Sequence, residues 1–202
     1  MGKLALAAKI THVPSMYLSE QPGKHYGCRA SAIEGHKEIS RRCRDLGVDT
    51  IIVFDTHWLV NSAYHVNCCS HFEGVYTSNE LPHFIRDITF NYEGNPELGH
   101  MIVKHAVAKG VRAQAHEIDS LKLEYGTLVP MRYMNEDKAF KVISIAAFCT
   151  SHSFEDSRKL GEAVLDAIKE YDGIVAVLAK RLVITLLYSR SFSQRRDEQL
   201  YP

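Results

Sequence analysis

Short, nearly continuous apolar runs recur along the chain, and they constrain its fold more than any other feature. Four of them are LALAAKI (4–10), TIIVFDT (50–56), AFKVISIAAF (139–148) and GIVAVLA (173–179). Runs of this length and composition are typical of strands covered on both faces of a sheet. Helical patterns separate them, at residues 29–46, 96–109 and 154–171. The sequence therefore predicts an α/β fold with a mostly parallel central sheet flanked by helices.

Local signals support the predicted helix boundaries. Gly47 follows the first helical pattern, where glycine commonly ends a helix. Pro96 suits the first turn of the second helix, and Ser153 with Asp156 predicts a capping box for the third. Residues 58–95 lack such a pattern and are rich in Asn, His, Tyr and Phe. We expect them to form a long irregular excursion over one end of the sheet.

Charge and composition exclude several classes of partner. The 24 basic and 24 acidic residues balance, which argues against a nucleic-acid partner or a polybasic membrane surface. No apolar run reaches the roughly 18–20 residues that span a bilayer, and the N-terminus lacks a signal-peptide cleavage pattern. The five cysteines are odd in number and form no CxxC motif. This usage indicates reduced thiols in a cytoplasmic protein.

Two of the 11 histidines directly follow apolar runs. His12 lies in KITHVPSM and His57 in TIIVFDTHW. Ligands of open α/β sheets gather at the carboxyl ends of the strands, so these two imidazoles can converge on one metal ion. Asp55 would share the face of His57 if the strand persists, and its carboxylate would orient the imidazole. The alternative is that both histidines make ordinary hydrogen bonds at strand ends.

Several separated blocks, in the same order, resemble the class III extradiol catechol dioxygenases. They are KITHVPSM, TIIVFDTHW, GVYTSNELPHFI, NYEGNPELG, SLKLEYGTLVPMRYMN and KVISIAAFC. The resemblance covers about residues 1–179. It is closest to the members that act on 3,4-dihydroxyphenylacetate (homoprotocatechuate).

The resemblance implies a metal site and a reaction. Fe(II), with Mn(II) as the alternative, is held by two His and one Glu, which leaves positions open for other ligands. By motif match, His12 and His57 would be the imidazole ligands. A catechol would bind through both oxygens, and O2 would cleave the ring beside the diol to a muconic semialdehyde. Relatives commonly form homo-oligomers.

A third block, LEYGTLVP, aligns with a segment that many relatives write as Asp-His-Gly. The matching residue here is Tyr125, in place of a His that assists acid–base steps. Tyr125 can donate a hydrogen bond, but an ordinary pKa near 10 makes it a poor base at neutral pH. Its alternative role is as an aromatic wall of the pocket. His116 does not align with the family's His, and we expect it to lie outside the site.

The likeness ends after Ala179. Relatives continue with a Ser-Gly-Ser-Leu-Ser-His segment, which supplies the principal acid–base His, and later supply the Glu ligand. This chain reads KRLVITLLYSRSFSQRRDEQLYP instead. Codons AAG CGG CTC GTT ATC for the first five of these residues give Ser-Gly-Ser-Leu-Ser in the reading frame shifted by one nucleotide and extended into the next codon. Residues 1–179 are thus predicted to be an incomplete dioxygenase domain, and 180–202 a frameshifted tail.

Other interpretations of the sequence stay open. The tail can instead belong to a naturally divergent short homologue. The chain can be a non-catalytic relative of the fold, or a zinc metallohydrolase that uses the same histidine pair. A dioxygenase that lacks the family's Glu and His would be impaired, because general acid–base catalysis alone typically contributes about 10²–10⁴-fold.

Overall fold

The computed structural model describes residues 1–119, 121, 123–149 and 152–179. In chain order its elements are β1 (Lys3–Lys9), α1 (Ser15–Leu18), α2 (Ala30–Asp45), β2 (Thr50–Val60), β3 (Tyr64–Asn67), β4 (His71–Tyr76), β5 (Ile88–Glu93), α3 (Pro96–Ala108), β6 (Ala113–His116), α4 (Tyr125–Met134), β7 (Lys141–Cys149), α5 (Phe154–Glu170) and β8 (Ile174–Ala179).

Six strands form the central sheet in the order β1-β8-β2-β7-β3-β6. Each neighbouring pair is parallel except β3 and β7, which are antiparallel. Strands β4 and β5 form a separate antiparallel pair. The predicted α/β fold with a mostly parallel sheet and flanking helices is confirmed.

Both faces of the sheet are covered, which explains the continuous apolar runs. On β2, Ile51 and Val53 point into a core shared with α1, α2, α4 and the β4–β5 pair. Ile52 and Phe54 point into a second core shared with α3 and α5. All four side chains are buried. A strand buried on both faces needs apolar residues at consecutive positions rather than at alternate ones.

The residues predicted to mark the helix ends lie at those ends in the structure. Gly47 follows α2 with a φ of +69°, a left-handed conformation that glycine adopts without a steric penalty. Pro96 is the first residue of α3, where the Asn95 side chain accepts from the Leu98 N–H at 3.1 Å. Ser153 and Asp156 form the capping box of α5. The Asn95 and Ser153 side chains accept from N–H groups that a helix start leaves without an intrahelical partner. Pro96 has no N–H that would need such a partner.

The expectation of an irregular excursion over residues 58–95 was wrong. Strand β2 extends to Val60, and β3, β4 and β5 follow within this segment. The paired strands β4 and β5 bury one face against the core, with the alternating side chains Phe72, Tyr76, Ile88, Phe90 and Tyr92. Burial of that face holds them as strands despite their many polar residues.

Connections between parallel strands bring the ends of β1 and β2 to one edge. Helix α2 returns the chain from the carboxyl end of β1 to the start of β2, so its N-terminus lies at the carboxyl edge. Strand β8 separates β1 from β2 in the sheet. Within the ranges described, no helix combines the length and apolar character needed to span a membrane.

Candidate metal centre

His12 and His57 meet at the carboxyl edge of the sheet. Their Nε2 atoms lie 2.8 Å apart and their ring centroids 4.8 Å apart. His12 follows β1, whose last pairing with β8 is completed by the Ile10 N–H, 3.0 Å from the Ala179 carbonyl oxygen. On the other side, His36 of α2 places its Nε2 3.0 Å from the Thr11 carbonyl oxygen. The backbone before His12 is thus held by both a strand and a helix.

Asp55 fixes the backbone on which His57 stands. The pairing of β2 with β7 changes register between Asp55 and Leu59. Fully buried Asp55 accepts the His57 backbone N–H at 2.8 Å through Oδ1. Its Oδ2 accepts the Thr127 hydroxyl of α4 at 2.7 Å. A carboxylate that accepts a neighbouring N–H substitutes for the ladder bond lost at such an irregularity.

Tyr125, the first residue of α4, contacts the other side of His57. Its Oη lies 2.6 Å from His57 Nδ1, and the two ring centroids are 4.0 Å apart. Burial, together with the nearby carboxylates of Glu80, Asp55 and Glu124, raises the pKa of Tyr125 to about 12. The phenol therefore stays protonated at physiological pH and acts as a hydrogen-bonding group rather than a base.

The two nitrogens of His57 thus face different partners. Nδ1 meets Tyr125, and Nε2 meets His12. A neutral imidazole that binds a metal through Nε2 carries its proton on Nδ1, which then donates to the Tyr125 oxygen. That tautomer leaves the Tyr125 hydroxyl hydrogen available to a further acceptor. The donor set fits two imidazole ligands of one metal ion.

A complete ligand set is not found in the part of the chain that the structure describes. No group of three or more His, Cys, Asp or Glu side chains in it is placed to hold a metal. In the family that the sequence resembles, the Glu ligand and the acid–base His come from the segment after the position of Ala179. The tail of this chain has a different sequence, and residues 180–202 lie outside the described residues.

Glu124 and Tyr76 extend the site beyond the residues predicted from the sequence. The Tyr76 hydroxyl donates to Glu124 Oε2 at 2.7 Å and joins β4 to the start of α4. Burial raises the pKa of Glu124, and the Tyr76 hydrogen bond partly offsets that rise. Glu124 precedes Tyr125 in the LEYGTLVP block, so its position in the sequence was the available signal.

A second histidine pair adjoins Trp58, the residue after His57. His116 Nε2 lies 2.6 Å from His65 Nδ1, and the two rings stack with centroids 4.5 Å apart. The Trp58 ring lies edge-on to both, at centroid distances of 6.0 Å and 5.9 Å. Burial lowers the pKa of each histidine. Both imidazoles are therefore favoured in the neutral form.

Comparison with known proteins identifies the family. A family model described as the catalytic LigB subunit of aromatic ring-opening dioxygenase matches residues 6–180. A 3,4-dihydroxyphenylacetate 2,3-dioxygenase of Escherichia coli is 68% identical over 212 aligned positions, which cover 99% of this chain and 77% of that protein.

Structural comparison adds a more distant match. The crystal structure of an uncharacterized protein from Escherichia coli K12 matches with a TM-score of 0.48 and 16% identity. The match covers 73% of this chain and 52% of that one, so this chain spans about half of its length. The resemblance to extradiol dioxygenases is confirmed by the family model and the sequence relative. The chain belongs to the family of catalytic LigB subunits of aromatic ring-opening dioxygenases.

Proposed function

We propose that the chain is an Fe(II)-dependent extradiol dioxygenase of aromatic catabolism. Its substrates would be 3,4-dihydroxyphenylacetate and O2, and its product a carboxymethyl-hydroxymuconic semialdehyde. The carrying observation is the convergence of His12 Nε2 and His57 Nε2 at 2.8 Å, in a chain 68% identical to the Escherichia coli 3,4-dihydroxyphenylacetate dioxygenase.

His12 and His57 would hold the metal, which is Fe(II) in this proposal and Mn(II) in its alternative. Neutral imidazoles suit both ions. Because these ligands carry no charge, the charge of the divalent ion leaves the site positive. The bound metal supplies a Lewis acid that favours catecholate binding and offers a position for O2. In relatives a Glu from the segment after the position of Ala179 would complete the ligand set. No residue of the 180–202 tail matches that Glu, so we expect this chain to be impaired.

The other site residues would orient these ligands and move protons. Asp55 acts through the backbone N–H of His57, and Tyr125 accepts from His57 Nδ1. Tyr125 would then donate its own hydrogen to a diol oxygen of the substrate. With a pKa of about 12, it donates a hydrogen bond at neutral pH without losing its proton.

Oxygen uptake tests the proposal directly. The chain is loaded with Fe(II) without oxygen, then given O2 and 3,4-dihydroxyphenylacetate, and yellow product is followed beside oxygen consumption. The same assay is run on the gene with the family reading frame restored after residue 179. We expect turnover by the restored protein, little by the given chain, and none by the restored protein with His57→Ala.

A control variant and three contrary outcomes complete the oxygen-uptake test. His71→Ala, in the exposed start of β4, leaves the restored protein active. A restored protein that binds Fe(II) and consumes no oxygen with this catechol contradicts the proposed reaction. Full turnover by the given chain contradicts its impairment. Uptake supported by Zn(II) alone excludes the proposed redox metal.

The proposal extends to the tail. Residues 180–202 would be read from a shifted frame of a longer dioxygenase gene, because the residues from Lys180 onward can be back-translated to the family's Ser-Gly-Ser-Leu-Ser in an alternative frame. The nucleotide sequence is the test. Codons for residues 180–185 that do not contain Ser-Gly-Ser-Leu-Ser in that frame exclude a frameshift.

Assembly and location are further parts of the proposal. We expect a homo-oligomer, as in relatives, and a cytoplasmic location. The thiols described as free, at Cys28, Cys43, Cys68 and Cys69, are consistent with a reducing compartment. Light scattering coupled to size exclusion measures the mass in solution, and a monomer over the working concentration range excludes the assembly.

A further inference from the structure

We propose that Arg29 binds the carboxylate of an acidic catechol substrate and so selects catechols that carry an anionic side chain. The inference rests on the proposed function and names a residue that determines its specificity. Three observations support it: the position of Arg29 at the carboxyl edge of the sheet, the hydrogen bond from its guanidinium to Ser15, and its lack of an acidic partner among the described residues.

Arg29 stands at the same edge of the sheet as the histidine pair. It directly precedes α2, whose N-terminus lies at the carboxyl edge. Seven residues later, His36 contacts the Thr11 carbonyl next to His12. Because a helix rises 1.5 Å per residue, Arg29 lies about 10 Å from His36 along the helix axis, toward the carboxyl edge of the sheet.

The side chain of Arg29 is tied to the segment that follows His12. Its Nε donates to Ser15 Oγ at 2.9 Å, and Ser15 is the first residue of α1. Its backbone N–H donates to Ser19 Oγ, also at 2.9 Å. With Nε engaged, the two terminal nitrogens form a planar pair whose geometry matches a carboxylate. An arginine held in this way needs less ordering when it binds an anion.

Arg29 also differs in its charge environment from most arginines that the structure describes. Six others form ion pairs with Asp or Glu: Arg41, Arg42, Arg44, Arg86, Arg132 and Arg158. No carboxylate in the described ranges forms an ion pair or hydrogen bond with Arg29. A cation oriented by its neighbours, yet without an acidic partner there, is suited to an anionic ligand.

Carboxylates lie near Tyr125, which contacts His57 Nδ1, whereas His12 contacts His57 Nε2. Glu80, Asp55 and Glu124 all act electrostatically on Tyr125. A substrate carboxylate on that side would meet like charge. The acidic side chain of a catechol bound at the histidine pair is therefore better placed toward α1 and Arg29. The chemical class is a catechol with a short carboxylate-bearing substituent.

Ligand binding without turnover tests this assignment. The Fe(II)-loaded protein with the family reading frame restored is titrated without oxygen by calorimetry, with 3,4-dihydroxyphenylacetate and with neutral 4-methylcatechol. Arg29→Met is expected to weaken binding of the acid about tenfold, as for loss of one charge-assisted contact. Binding of 4-methylcatechol should change less than twofold. Arg29→Lys should retain part of the preference for the acid.

Two further variants separate a specific contact from general effects. Lys24→Met removes a positive charge from the same exposed loop and should leave both affinities unchanged. Ser15→Ala releases Arg29 Nε and should weaken the acid alone, by less than Arg29→Met does. Raising the salt to 0.5 M should shrink the Arg29 effect, because exposed charges are screened.

The contrary outcomes are distinct. Equal weakening of both catechols by Arg29→Met, no weakening of either, or an equal effect of Lys24→Met overturns the role of Arg29 and leaves the proposed function standing. Failure of the unmutated, frame-restored protein to bind either catechol overturns the proposed function, and the role of Arg29 with it.

Discussion

At the scale of single residues, the site depends on how His57 divides its two nitrogens. Nε2 faces His12, whereas Nδ1 faces the Tyr125 hydroxyl. Partners of the second nitrogen fix the tautomer and raise the basicity of a ligand imidazole. Tyr125 is thus expected to affect metal affinity as well as substrate chemistry.

Tyr125→Phe isolates that contribution. The ring remains against His57, and only the hydrogen bond to Nδ1 is removed, so the affinity for Fe(II) or Co(II) should fall about tenfold. Metal titration under anaerobic conditions measures it. Tyr76→Phe is the matched control, because its hydroxyl contacts Glu124 and not a histidine. Equal losses in the two variants would show that Tyr125 does not act through His57.

The His65–His116 pair predicts a dependence of stability on pH. Burial lowers both pKa values in the folded chain below the unfolded value near 6.5. Folding therefore favours the neutral forms. The stabilisation is complete above the unfolded pKa and is lost as the pH falls from there through the folded values.

Thermal unfolding between pH 7.5 and pH 5 measures this effect. The melting temperature of the unmutated chain should fall more steeply than that of the double variant His65→Gln/His116→Gln. His71→Gln, at an exposed site, should keep the original slope. Parallel slopes in all three proteins would remove the pair as the cause.

Some of these site residues could be predicted from the sequence, and others are found only in the structure. His12 and His57 could be chosen from their positions after apolar runs, and the family resemblance added Tyr125. Roles for all four predicted residues, Asp55 included, stay predictions. Tyr76 and Glu124 are 48 positions apart, and their contact depends on how β4 packs on α4. No local pattern encodes such a pairing.

At the scale of elements, physical causes decide which helices and strands could be predicted from the sequence. The capping box of α5 was predictable because all its partners lie within four residues. Helix α4 could not be predicted in this way, because its sequence YGTLVPMRYM contains Gly126 and Pro130, and both residue types destabilise helix interiors. Strand β6, AQAH, has little strand propensity and exists through its pairing with β3. The alternating apolar residues of β5 were a usable signal that the irregular interpretation overlooked.

Two helical glycines provide a matched test of packing. An added Cβ at Gly35 of α2 meets nothing within 4 Å, whereas at Gly99 of α3 it lies 2.7 Å from Cys68 Sγ. Gly35→Ala should stabilise the fold by about 0.5–1 kcal/mol through helix propensity. Gly99→Ala should destabilise it by about 1–3 kcal/mol through overpacking.

Urea denaturation measures both changes. Adding Cys68→Ala should recover part of the loss caused by Gly99→Ala, because it removes the contacting sulfur. That recovery identifies the steric contact as the cause. Equal stability of the two alanine variants would contradict the close packing of α3 on the segment after β3.

At the scale of the whole molecule, the candidate metal centre joins parts of the chain that are distant in sequence. His12 and His57 lie 45 positions apart, and Tyr125 is a further 68 positions along. Their meeting requires the β1-β8-β2 order of the sheet and the packing of α4. A ligand that binds only this arrangement must stabilise the folded state as a whole.

Metal-dependent melting tests that coupling. Fe(II) at 100 times its dissociation constant stabilises a one-site protein by about 2.7 kcal/mol. For a chain of this size the melting temperature should rise by about 5–10 °C. His12→Ala and His57→Ala should each abolish the rise, and His71→Ala should keep it. A rise that survives both histidine substitutions would place the bound metal elsewhere.

The separation of the histidine pair from Arg29 has a consequence for how this protein can change over generations. His57 lies within β2 and His12 follows β1, next to strands whose side chains form the core. Arg29 lies in an exposed stretch before α2, where substitutions are tolerated. Under the proposed roles, a lineage built on this plan would acquire new preferences among ring substituents by drift in one exposed stretch, while the inherited reaction persists.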